Sequence, residues 1–107
     1  MTSGEACTVE LTAHGYLVLD APVAAQYFPH DTLLVFPKPQ ELWLLPTRGA
    51  GGGGLLLKQR NPRGDRAVLV REATGDLELT GRLPAVWDEG HGCLRVALHP
   101  DLIERVA

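Results

Sequence analysis

The stretch TVELTAHGYLVLDAPVAAQYFPHDTLLVFPKPQELWLLP, residues 8–46, sets the terms of the fold. Its apolar runs are short and closely punctuated. Residues 8–13 alternate weakly, His14-Gly15 supplies a tight-turn signal, and residues 16–19 resume as a second strand. Asp20 stands where it can cap a short helix over residues 21–28, with Pro22 in the first turn and Pro29 closing it. Residues 32–36 and 41–46 are apolar runs joined by Pro37-Lys38-Pro39-Gln40. Proline cannot donate to a ladder, and runs this short bounded by proline read as buried strands rather than as a helix.

The same grammar continues outward. GAGGGG, residues 49–54, reads as a flexible loop, because consecutive glycines lose much backbone entropy on ordering. Residues 55–59 and 66–72 flank Arg60-Asn61-Pro62-Arg63-Gly64-Asp65 as a hairpin. Strands are expected over 77–83, 85–87 and 93–98, separated by turn signals at 73–76 and 88–92, and a terminal helix over 99–107 with Pro100 at its first position. Turns this frequent beside only two short helical windows predict a mainly β chain. We expect a small barrel-like or swapped-hairpin domain with one or two short helices, and all 107 residues in a single domain. A faint echo links HGYLVLDAPVAAQYF, from residue 14, with HGCLRVALHPDLIERV, from residue 91. Each gives His-Gly, a strand, a proline and a helical window.

On these residues the segment 8–46 resembles the swapped-hairpin module of the AbrB and MraZ transcription regulators, and the echo over 84–107 suggests a second copy. That family pattern is a strand, a basic turn, a strand ending at proline, a short helix and two further strands. The resemblance implies an interlocked homodimer and duplex DNA binding. Here the turn reads His14-Gly15-Tyr16 rather than Lys-Gly-Arg, and residues 1–46 hold one base, Lys38, against five acids. The fold implication therefore carries over better than the DNA-binding one.

Composition narrows the classes. The hydrophobic fraction of 45% and charged fraction of 21% suit a globular domain, and the net charge of −3 gives no general attraction to nucleic acid or anionic membrane. The opening residues lack the basic and apolar regions of a secretory signal, and no apolar run approaches membrane-spanning length. The expected compartment is the cytoplasm, with no membrane association, and Cys7 and Cys93 as reduced thiols; a disulfide between them would need the two ends of the chain to meet.

Candidate chemistry is sparse. Gly49-x-Gly51-x-x-Gly54 matches a dinucleotide fingerprint in form, but Pro62 leaves no room for the helix that must follow, so no cofactor is expected. Lys58, Arg60, Arg63 and Arg66 form a cationic hairpin, with Lys58 and Arg60 on one face and Arg66 expected opposite them across the hairpin. Such a finger suits an acidic protein surface or nucleic-acid phosphates, although no aromatic residue interleaves to stack bases. Arg63-Gly64-Asp65 has the form of an adhesion tripeptide and equally the composition of a turn. His91 and Cys93 are the best metal ligands in the chain, yet no CxxC or HxxxH supplies a second pair. Trp87, beside Asp88 and Glu89, is either core or an interface anchor. No nucleophile, base and orienting group come together as a catalytic motif, so an enzyme is not expected. The reading is a non-enzymatic accessory module that binds an acidic protein partner through the basic hairpin. The alternatives are an AbrB-like DNA-binding regulator and a metal-binding accessory protein.

Overall fold

Short apolar runs bounded by turn residues fold here into strands that each bury one face. The structure is a computed structural model that describes residues 6–49, 54–75 and 79–98. In chain order the elements are β1 (Ala6–Leu11), β2 (Tyr16–Leu19), α1 (Ala21–Tyr27), β3 (Thr32–Pro37), β4 (Glu41–Pro46), β5 (Leu55–Leu56), β6 (Lys58–Gln59), β7 (Arg66–Leu69), α2 (Arg71–Thr74), β8 (Gly81–Asp88) and β9 (Cys93–Ala97). The described strands form one antiparallel sheet in the order β5-β3-β4-β9-β8-β1-β2-β7-β6. Its two ends, β5 and β6, are neighbours in sequence with only Leu57 between them. Leu57 is buried, and its N–H donates to the Asp31 carbonyl at 2.8 Å. Residues 55–59 thus reach from one end of the sheet to the other and bring it close to a closed barrel, the mainly β architecture expected.

The pairings reveal a duplication. Hairpin β1–β2, helix α1 and hairpin β3–β4 are followed by hairpin 55–69, helix α2 and hairpin β8–β9. Each first hairpin pairs only with strands of the other half: β1 with β8 and β2 with β7, β5 with β3. The hairpins are therefore exchanged between halves about a pseudo-twofold axis. It passes by the Leu17–Val68 pair of β2 and β7 and by the Trp43–Arg95 pair of β4 and β9. Equivalent residues fill the interior: Leu17 and Leu19 match Val68 and Val70, Leu33 matches Leu83, and Leu42 and Leu44 match Leu94 and Val96, all buried. The register also equates Asp31 with Gly81, and both take positive φ, at 59° and 103°. The duplication runs at a different offset from the His-Gly echo. His14-Gly15 turns β1 into β2, whereas His91-Gly92 turns β8 into β9, the counterpart of the β3–β4 turn. The terminal helix expected over 99–107 lies outside the described residues, as does most of the glycine run.

Two further expectations change. Residues 71–74 form a short helix rather than the end of a strand. Residues 81–88 form one strand through Pro84, not two strands broken by it. Pro84 faces the β9 side, where the ladder starts only at Ala85, so its missing N–H deprives no partner. No helix among the described residues is long and apolar enough to cross a membrane.

Candidate functional site

The cationic hairpin is built around a buried acid. Gly64 takes φ 97° and donates its N–H to the Asn61 carbonyl at 3.0 Å, which turns Asp65 inward. Asp65 is 6% exposed. Its Oδ1 accepts the Ala21 N–H at 2.8 Å, and its Oδ2 accepts from Asn61 Nδ2 at 2.9 Å and Arg63 Nη2 at 2.8 Å. The carboxylate therefore caps α1 from a distant loop, while Asp20, the residue placed to cap it, makes no side-chain cap bond. An Arg-Gly-Asp triplet with its acid consumed in this way offers no adhesion epitope. The bonds from Asn61, Arg63 and Ala21 hold the Asp65 carboxyl down at about 2, against an ordinary 3.8. A depressed folded-state value means that Asp65 contributes stability above the ordinary value, and that this is lost as pH falls toward 2. Asp65→Asn should remove that part of the acid destabilisation, and Asp65→Ala should lower Tm by several degrees at neutral pH. Calorimetry from pH 7 to pH 2 checks both.

Arg66 does not join the other cations. Lys58 pairs with Ala67 and Gln59 with Arg66, so Arg66 lies on the opposite face from Lys58. Its Nε binds Asp31 Oδ1 at 3.0 Å and its Nη1 donates to the Gly64 carbonyl at 3.2 Å. Arg63 is exposed but tied to Asp65. The expected single cationic face is thus reduced to Lys58 and Arg60, both exposed and in no ion pair among the described residues. Trp87 is half-buried, packs against the core and stacks on Tyr27 of α1 with ring centroids 4.6 Å apart.

His91 and Cys93 meet a different cluster, on the outer face of β4, β8 and β9. The guanidinium of Arg95 forms a fork to Glu41, with both N–O distances 2.9 Å, and reaches Asp88 at 3.2 Å. Asp88 also binds His91 Nδ1 at 2.9 Å, and Trp43 Nε1 donates to Glu41 at 2.8 Å. The Trp43 ring lies 4.9 Å from His91 and 4.5 Å from the Lys38 ammonium. Hydrogen bonds from His91 lower the Asp88 pKa, and the Arg95 bond lowers that of Glu41. Cys93 is buried under this cluster, and burial pushes its thiol up, away from the reactive thiolate. His91 and Cys93 share a recess of about 250 Å³, but no described group of three His, Cys, Asp or Glu residues is placed to hold a metal. The network ties the second hairpins of the two halves together beside the axis.

No family model, curated protein or solved structure matches this chain.

One apolar opening was not legible in the sequence. A groove of about 690 Å³ runs between β3 and the β7–α2 corner, lined by Leu34, Val35, Pro37, Leu55, Leu69 and Ala73, among others. Of its lining, Leu55 and Leu69 are 42% and 47% exposed. Among the described residues, β5 pairs with β3 through Thr32 and Leu33, and β6 pairs with β7 through Arg66 and Ala67. Between these short ladders the wall parts. A run of three leucines at 55–57 is the one sequence signal, since an alternating strand would have exposed fewer.

Proposed function

We propose that this chain is a non-enzymatic interaction module that grips a protein partner across the groove between β3 and β7, with Lys58 and Arg60 set toward acidic groups of that partner. The observation that carries the reading is the convergence of two exposed leucines, Leu55 and Leu69, on one apolar groove, in a chain whose next strand, β6, carries the exposed Lys58. An apolar centre with charge at its edge is the usual anatomy of a protein contact. The reading keeps the expected accessory role and moves its centre from the cationic tip to the leucine-lined groove. It also places the chain in the reducing cytoplasm, where Cys7 and Cys93, both thiols here, would stay reduced.

The test is quantitative affinity capture from a native extract, comparing wild type with Leu55→Asp/Leu69→Asp and with Lys58→Glu/Arg60→Glu. The same partner should be lost almost completely with the leucine variant and weakened, in a salt-dependent way, with the charge variant. Equal recovery by wild type and the leucine variant would remove this face from consideration.

A further inference from the structure

The interior of the barrel repeats between its halves, but its outer face does not. Phe36 pairs with Trp43 across β3 and β4, as Val86 pairs with Arg95 across β8 and β9. The pseudo-twofold therefore equates Phe36 with Val86, Lys38 with Asp88, Trp43 with Arg95 and Leu45 with Ala97. One half presents two rings, a leucine and a cation. The other presents two short aliphatic side chains and an ion pair, Asp88 to Arg95 at 3.2 Å. The buried residues of the two halves match without these rings, so packing of the interior does not call for them.

The rings border the recess above Cys93. Three alternating pairs supply its lining: Phe36 and Lys38, Trp43 and Leu45, His91 and Cys93. Leu44 pairs with Leu94, which sets Leu45 beside Cys93. His91 is a fixed wall, because Asp88 accepts its backbone N–H at 3.1 Å and bonds its Nδ1 at 2.9 Å. Phe36 is 42% exposed, so apolar ring surface meets water at the recess. The charges here are unevenly matched. Glu41 and Asp88 both bind Arg95, whereas the Lys38 ammonium lies 4.5 Å over the Trp43 ring and in no ion pair among the described residues. Contact with the ring face holds the ammonium in place and leaves it N–H donors for an anion. None of the six lining residues belongs to the leucine-lined groove.

We infer that this recess binds a small aromatic carboxylate, with the ring among Phe36, Leu45 and His91 and the carboxylate on Lys38. A volume of about 250 Å³ lies below the usual range of small-molecule sites, which suits a single ring and excludes a larger cofactor. A cationic ligand is disfavoured, because Lys38 and Arg95 already lie 4.5 Å and 5.3 Å from the Trp43 ring. A neutral ring would gain the apolar contact but leave the Lys38 charge unmet. The site goes beyond the proposed partner contact and does not depend on it.

The probe is phenylacetate, titrated into the isotope-labelled chain and followed by NMR. Saturable shifts centred on Phe36, Trp43 and His91 are expected, with a dissociation constant at or below about 1 mM. Phenylacetamide, the same shape without the charge, should bind about two- to fivefold more weakly. Benzylamine should not bind. Lys38→Met should remove the advantage of the acid over the amide while the ring still binds, and Trp43→Leu should abolish binding of both. No saturation by about 10 mM phenylacetate, equal affinity of wild type for acid and amide, or shifts centred elsewhere would each overturn the site. If Trp43→Leu fails to fold by circular dichroism, Lys38→Met, a change at an exposed position, decides. Leu55→Asp/Leu69→Asp should bind phenylacetate as wild type does, so failure of the partner contact and failure of this site are read separately.

Discussion

Leu17→Ala lowers the free energy of unfolding by about 2–5 kcal/mol, read as a fall in the urea midpoint with little change in slope. Leu17 is fully buried, pairs with Leu11 on β1 and Val68 on β7, and stands beside the pseudo-twofold axis. Truncation there leaves a cavity walled by strands from both halves. Hydrogen-bonded ladders hold those strands apart, so the cavity cannot readily collapse. Leu56→Ala is the internal comparison, because the same change at an exposed leucine should shift stability by no more than about 0.5 kcal/mol. Similar losses at the two positions would mean that the interior is not packed as described.

Leu57→Asp should cost more, at least about 4 kcal/mol, since it loses a buried leucine and puts a carboxylate in its place. A domain of this size has about 5–15 kcal/mol in total. The variant therefore sits at the edge of unfolding. Leu57 is the residue through which the two ends of the sheet meet, and its side chain points into the same core as Leu19, Leu33 and Val70. Leu56→Asp, one position away and exposed, should be tolerated, because the strand alternation puts it outside. Equal effects of the two aspartates, by thermal or urea unfolding, would show that residues 55–59 do not close the barrel.

How far the sequence could be read follows the range of the interactions. The β1–β2 turn at His14-Gly15, α1 after Asp20 and the β3–β4 hairpin are local, and their signals lie within a few residues of the structure they form. Helix α2 was hidden because RAVLVRE alternates well enough to pass for strand, and four helical residues leave no period to detect. Pro84 misled for a different reason: a proline ends a strand only where its N–H is needed, and that depends on where β9 stops. The candidate site depends on still longer range. Asp65 reaches Ala21 across 44 residues, and Arg95 reaches Glu41 across 54. Counting Arg66 into the cationic face was an error of register, since the turn length sets which residues oppose one another. The groove needed the most context, as its lining comes from three separate stretches of the chain.

Amide hydrogen exchange on the free protein, residue by residue, tests closure and groove together. Leu57, bonded to Asp31 across the join, should exchange as slowly as the core amides of Leu17 and Leu94, while Leu69, beyond the end of the β6–β7 ladder, exchanges orders of magnitude faster. A fast Leu57 would contradict the nearly closed barrel, and a Leu69 as protected as Leu17 would contradict the gap beside β7.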